Sequence, residues 1–203
     1  MSPGPIFDRV YTELKRQIMA GRWRPGTHLE PSAIGDDLGA SITPVRDALH
    51  RLVGERLIDA PRHDGFWVPA MTETELRDRY RWNGDLLAWA LRRQRRSLPP
   101  RHDEEDAMLA PGSLFRGIAW AADYPELEHA VSVSTDRLAE YRAAEAEVLE
   151  GVAAELESLA DCYRASATGD LRAELAAYHK RRARSAPRIL SARRRAIDAP
   201  GGA

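Results

Sequence analysis

Apolar residues recur along most of this chain at steps of three and four, the spacing of a helix with one buried side. From Ile6 to Met19 the positions Ile6, Val10, Leu14 and Ile18, flanked by Phe7, Tyr11 and Met19, predict a first amphipathic helix ending near Gly21. Ser32 to Leu38 is a second, short helical run, closed by Gly39, a residue that readily adopts the left-handed conformation of a helix stop. Within Ser41 to Glu55 the residues Val45, Ala48, Leu49, Leu52 and Val53 form one stripe, while Thr43, Arg46, Asp47 and His50 fall on another face. Two starts compete for this third helix. Thr43 can cap it with Pro44 at the first helical position, where the missing N–H costs nothing, or Ser41 can cap it. Two helices across a tight turn make a helix-turn-helix.

The flanking pattern extends the unit. A Pro25-Gly26 turn leads into Leu29, expected as a short strand pairing with the wing. Pro61 and Gly65 punctuate two β-prone segments, Leu57-Ile58 and Phe66-Trp67-Val68, so a hairpin is expected with its tip, Arg62-His63-Asp64, projecting. After Pro69 the order changes. Thr72 and Glu75 form a capping box opening a helix through Leu76, Tyr80, Leu86, Leu87, Ala90 and Leu91 to the basic run Arg92 to Arg96, where cations suit the helix dipole. Ser97-Leu98-Pro99-Pro100 breaks it, and Arg101 to Asp106 reads as a charged linker or helix start. Further helices are expected over Ser113 to Ala122, over Glu126 to about Ala165 with an interruption, and over Asp170 to about Arg195. The predicted fold is mainly α: a winged helix-turn-helix over residues 1–70, an all-helical bundle over 71–198, and a Gly-rich tail, expected to be disordered, over 199–203.

Composition narrows the chemistry. The 30 Lys+Arg against 31 Asp+Glu give a net charge of −1, so any attraction to nucleic acid must come from a local patch. Lys15 and Lys180 are the only lysines, and positive charge is otherwise guanidinium, which suits phosphate forks. Lys15 and Arg16 read as part of a solvated face, with contact to the backbone of a bound duplex as the alternative. The runs Arg181-Arg182-Ala183-Arg184 and Arg193-Arg194-Arg195 read as a solvated helix face, because acids are abundant in the same half. A single cysteine, Cys162, excludes an internal disulfide and a cysteine-based zinc cluster. No apolar run reaches the length of a membrane span, and the N-terminus lacks the basic-then-apolar order of a signal peptide, so a cytoplasmic protein is expected. There is no nucleophile–base constellation and no phosphate-cradling glycine loop, so the chain reads as no enzyme.

The first third of the chain resembles the GntR family of bacterial transcription regulators. The resemblance rests on Pro25-Gly26, Leu29, Leu38-Gly39, Ser41, the run Thr43-Pro44-Val45-Arg46-Asp47-Ala48-Leu49, Leu52, and Gly65 and Val68 of the wing. It implies a DNA-reading face of Ser41, Thr43, Arg46, His50, Arg62, His63 and Gly65. Arg46 is expected as the guanine or phosphate fork, with an intrahelical pair to Asp47 or a neighbouring acid as the alternative; the hydroxyls are expected to donate to phosphate, and the wing's Arg62 to enter the minor groove or clamp a phosphate. Ile42 departs from the family, which usually carries an arginine there. The second half resembles, more distantly, the helical effector domain of the FCD subfamily, through the Leu76-to-Leu91 helix, Leu114 to Ala119, Asp123 to Leu127 and Gly169-Asp170.

That second resemblance implies a homodimer, a pocket for small acids, and often a divalent metal. Here Arg116 stands at a ligand histidine's place, Gly112 at the aspartate's and Leu159 near another histidine's, and only His179 sits near a ligand position. His102, His129 and His179 form no i,i+4 pair, so neither metal nor another cofactor is expected. The resemblance leaves Arg116 to pair with an acid's carboxylate, Asn83 to hydrogen-bond it and Trp120 to wall it, with ordinary helix packing as the alternative for each. Trp82 and Trp89, seven apart, share a helix face as core or as a dimer seam. The implied function is a homodimeric repressor on a double-stranded operator, answering to a small-molecule effector. The alternative is a non-catalytic interaction module, or a ligand-independent DNA-binding dimer with a degenerate effector domain.

Overall fold

In the computed structural model, which describes residues 4–61, 64–98 and 111–198, two compact units meet in sequence at Met71 and Thr72. The first contains α1 (Pro5–Met19), β1 (His28–Leu29), α2 (Pro31–Leu38), α3 (Ile42–Gly54) and β2 (Phe66–Trp67). Val10 and Leu14 of α1, Ile34 of α2, and Val45, Leu49 and Leu52 of α3 close one core with Leu57, Ile58, Phe66 and Val68. Each such side chain, fully buried, contributes about 1.5–3 kcal/mol, so the three helices are held by their apolar stripes.

The small sheet pairs the Leu29 strand with the wing, as expected, but lacks the expected strand at Leu57-Ile58. β2 pairs antiparallel with β1, His28 opposite Trp67 and Leu29 opposite Phe66. Leu57 and Ile58 form no strand; only Asp59 bridges Trp67, through two backbone hydrogen bonds of 2.8 Å. Adjacent strand residues point to opposite faces, whereas Leu57 and Ile58 are both buried in the core, and that burial decides the segment's conformation.

The second unit is all-helical among its described residues: α4 (Glu73–Arg92), α5 (Pro111–Ala121), α6 (Pro125–Asp136), a 3₁₀ turn (Ala139–Tyr141), α7 (Arg142–Val148), α8 (Val152–Arg164) and α9 (Thr168–Asp198). The capping box on α4 forms as its sequence predicts: Glu75 N–H donates to Thr72 Oγ1 (3.2 Å) and Thr72 N–H to Glu75 Oε2 (2.8 Å). The long segment before α9 breaks twice, at the 3₁₀ turn and at Gly151, whose φ of 67° is left-handed. Leu87 and Ala90 of α4, Phe115 and Ile118 of α5, Val131 of α6, Leu159 of α8 and Leu171 of α9 build the apolar core. α4 and α9 touch at Gly84, where a Cβ would lie 3.0 Å from His179 Cβ.

An ionic cluster joins these helices and corrects the reading of Arg181 to Arg184 as a solvated face. Arg182 is fully buried, donating to Glu145 at 2.7 Å and Glu155 at 2.8 Å with its guanidinium 3.3 Å from the Tyr178 ring centre. Glu145, itself buried, also accepts from the Tyr80 hydroxyl at 2.7 Å and from Arg142 at 3.0 Å. Burial first, and then the Glu145 charge, push the Tyr80 hydroxyl pKa well above its ordinary range. A carboxylate this enclosed needs such partners, because leaving a buried charge uncompensated is strongly destabilising.

Candidate functional site

The turn between α2 and α3 is built by two glycines and an arginine. Gly39 ends α2 in the left-handed region (φ 58°, ψ 47°), and the Ala40 amide then donates to the Gly35 carbonyl at 2.9 Å. A Cβ on Gly35 would stand 2.7 Å from the Ala40 carbonyl oxygen, so the turn can fold back this tightly only over a glycine. From α1, Arg9 donates to the Leu38 carbonyl at 2.9 Å and fastens the turn. Neither Gly35 nor Arg9 stood out in the sequence; a small residue four before a Gly stop is the signal that could have found the first.

Of the two starts proposed for α3, the backbone takes the earlier. Ser41 holds the cap position in extended conformation and the helix begins at Ile42, so Thr43 and Pro44 lie inside the first turn. Pro44 is tolerated because first-turn amides have no intrahelical acceptor to lose. Ser41 makes no side-chain capping bond. Neither its hydroxyl nor that of Thr43 has a protein partner among the described residues. Val45, Ala48, Leu49 and Leu52 go to the core, which leaves Ser41, Ile42, Thr43, Arg46, Asp47 and His50 exposed. Arg46 makes no ion pair with Asp47, and no other protein group engages it among the described residues. Its fork is therefore available to an external acceptor. His50 sets its ring edge-on to Phe66 of β2, centroids 5.0 Å apart, tying the helix to the wing.

The other basic residues near this face are committed. Lys15 donates to Glu55 at 2.8 Å, Tyr11 donates to the same carboxylate at 2.5 Å, and Arg51 lies over the Tyr11 ring at 3.9 Å. Burial acts to raise the Glu55 carboxyl, but the hydrogen bonds from Lys15 and Tyr11 prevail and hold it below its ordinary value. Arg16 pairs with Glu13 at 2.6 Å. Lys15 is thus tied to the end of α3 through Glu55, while Arg16 stays on the solvated face expected of it, paired with Glu13 of its own helix. In the wing, Gly65 adopts φ +76°, and a Cβ there would collide with the His28 ring, so this position requires glycine. Trp67 Nε1 donates to the Asp64 carbonyl at 2.5 Å and braces the turn. Arg62 and His63 lie outside the described residues.

In the helical unit the three residues expected around an acid are not presented together to a ligand. Asn83 is fully buried, with its amide within hydrogen-bond reach of Ser134 (3.3 Å), Thr135 (3.1 Å) and His179 Nε2 (2.9 Å). Of its two readings the packing one holds, and the effector contact is corrected: Asn83 ties α4 to α6 and α9. Arg116 pairs with the buried Asp136 at 3.4 Å, and Trp120 carries the Arg96 guanidinium 4.8 Å above its ring. His179 Nδ1 bonds the Leu175 carbonyl at 2.7 Å. Desolvation lowers the His179 pKa to about 3, so the ring is neutral. A metal does not fit the residues at the family's ligand positions. Gly112 offers no donor, Arg116 is cationic, Leu159 is apolar and buried, and both His179 nitrogens face protein groups. His129 is exposed, and His102 lies outside the described residues.

Comparison with known proteins agrees with this geometry. Residues 7–68 match the family described as "Bacterial regulatory proteins, gntR family". The HTH-type transcriptional regulator McbR of Escherichia coli (strain K12) is 36% identical over 85 residues, 41% of this chain and 38% of that protein. The HTH-type transcriptional repressor GlaR of the same organism is 35% identical over 68 residues, 34% of this chain and 31% of GlaR. The chain thus covers well under half the length of these relatives. Among solved structures, E. coli McbR/YncC superposes with TM-score 0.61 at 22% identity, covering 88% of this chain and 95% of that one. A GntR regulator from Rhodococcus sp. RHA1, described as putative, superposes with TM-score 0.65 at 16% identity, covering 91% and 97%. At those identities the likeness is one of fold, and it extends through the helical unit. Residues 7–68 carry a helix-turn-helix domain of the GntR family.

Proposed function

We propose that this protein is a sequence-specific DNA-binding transcription regulator, a homodimeric repressor that reads a pseudo-palindromic operator and releases it when a small organic anion binds. The observation that carries the reading is the state of Arg46: exposed on the recognition helix and engaged by no protein group among the described residues. Ser41 and Thr43 stand beside it with uncommitted hydroxyls, a set suited to two phosphates and a base edge. Ile42, 49% exposed at the helix start, offers methyl groups to a thymine where the family's arginine would reach for an acceptor. Dimerisation would set two such helices about 34 Å apart, one turn of the duplex. Trp82 (54% exposed) and Trp89 (39%) on α4 supply apolar surface for that pairing, and the helical unit is then an FCD-type domain without the metal set.

Fluorescence anisotropy tests the reading, with the purified chain on its own upstream intergenic DNA against a scrambled duplex across salt. Selective binding that Arg46→Ala weakens by about 1–3 kcal/mol is the expected result. Equal, weak binding to both duplexes, unchanged in the variant, would instead favour a protein-interaction module.

A further inference from the structure

Between α4 and α9 lies a cavity of about 570 Å³ that plays no part in the description so far. The two helices run antiparallel: Thr168, at the start of α9, bonds Gln94 just past the end of α4 at 3.3 Å, and Gly84 meets His179 midway. This direction sorts the lining into two ends. Arg77 and Arg81 of α4 lie toward Lys180 and Arg184 of α9, while Ala88 and Leu91 lie toward Leu175 and Ala176. Arg172 borders the apolar end, and Asp85 is the acid among the lining residues.

Many arginines elsewhere in the unit are ion-paired, although Arg92 and Arg95 near the end of α4 have no side-chain partner among the described residues. Arg116, Arg142, Arg164, Arg181, Arg182 and Arg195 each hold a carboxylate. Arg77, Arg172, Lys180 and Arg184 have no hydrogen-bond or ion-pair partner among the described residues, and Arg81 reaches Asp78 only at 3.4 Å. We propose that this cavity binds an amphiphilic organic anion. Its carboxylate or phosphate head is held by Arg77, Lys180 and Arg184, and its apolar body lies on Ala88, Leu91 and Leu175. The volume is that of a small-molecule site, and guanidinium forks make charge-assisted bonds to both kinds of head. A neutral ligand leaves the cations unanswered. A second copy docked here by a two-fold axis would set cations against cations, which is repulsive. α4 follows the winged helix directly in sequence, so the same anion is the candidate releasing ligand. That role rests on the DNA-binding reading; the binding itself does not.

Isothermal titration of the full chain with octyl phosphate and with octanoate, both below their micelle concentrations, tests the proposal against inorganic phosphate and 1-octanol. At least one amphiphile should saturate a single site, with inorganic phosphate and octanol at least about tenfold weaker. Arg77→Ala combined with Arg184→Ala should weaken the amphiphile at least about tenfold, and Ala88→Trp, which fills the cavity and keeps its charges, should do the same. Circular dichroism confirms that each variant is folded; should the double variant not fold, Lys180→Gln replaces it. Absence of binding by both amphiphiles, inorganic phosphate binding as tightly as they do, or full affinity in the folded variants would overturn the proposal. Failure of the operator assay would leave this result standing, so the two readings fall separately.

Discussion

On α3 the Arg46 guanidinium projects from an exposed face with no partner in the described protein, whereas on α9 Arg182 is enclosed between Glu145 and Glu155. The same side chain serves opposite ends. The winged unit closes an apolar core and leaves Arg46 on the outside, where it can be changed with little effect on the fold. The helical unit runs charge through its centre, with Arg142, Tyr80 and Tyr178 completing the cluster around Glu145 and Arg182. There a single deletion strips two carboxylates of their shared buried cation, leaving Glu145 to Arg142 and Glu155 to Arg181 in a poorly solvated place.

The largest expected effect follows from that contrast. Arg182→Met should cost the helical unit about 3–5 kcal/mol, as loss of one partner of a buried pair does. Urea unfolding followed by fluorescence of Trp82, Trp89 and Trp120 measures it, and a loss below about 1 kcal/mol would erase the distinction between the two units. Next comes acid. Desolvation holds His179 at about pKa 3 in the folded protein, against about 6.5 in an unfolded chain. The unfolded state binds the extra proton between those values, so this site's contribution to stability is present above about pH 6.5 and is lost as pH falls toward 3. At pH 5 the loss is about 2 kcal/mol. The cations Arg142 and Arg182 act in the same direction, and His179→Gln should flatten the slope in parallel pH titrations.

In the winged unit the backbone turn is the most sensitive point. Gly35→Ala forces a methyl against the Ala40 carbonyl and should cost about 1–3 kcal/mol, the range for overpacking. Unfolding reported by Trp23 and Trp67, with the helical unit's signal unchanged, is the expected pattern. Smallest of all on stability is Arg46→Ala, within about 0.5 kcal/mol, while its operator affinity falls by about 1–3 kcal/mol. A destabilised Arg46→Ala protein would show that the fork is structural after all.

The winged unit was nearly all legible because its determinants are local. The apolar stripe of α3, the Gly39 stop and the Gly65 turn are each written within a few residues, and the structure keeps all three. The start of α3 was legible only to within its two candidates, since Pro44 fits anywhere in a first turn. The helical unit was legible as helices and no further. Its ionic cluster joins residues 37 and 65 positions apart, Arg182 with Glu145 and Glu145 with Tyr80, a separation at which an arginine-rich run looks like any solvated face. Asn83 misled for the same reason. Nothing near it in sequence announces that Ser134, Thr135 and His179 will close around its amide.

The bond between Lys15 and Glu55 also bears on how the protein can be labelled. With the only other lysine, Lys180, standing exposed at the mouth of the α4–α9 cavity, the two side-chain amines differ sharply in availability. An acylating reagent at neutral pH would react with Lys180 ahead of the ion-paired Lys15. A fluorophore attached that way would sit at a defined position and, by cancelling the ammonium charge, would mute the cavity as it reports on it.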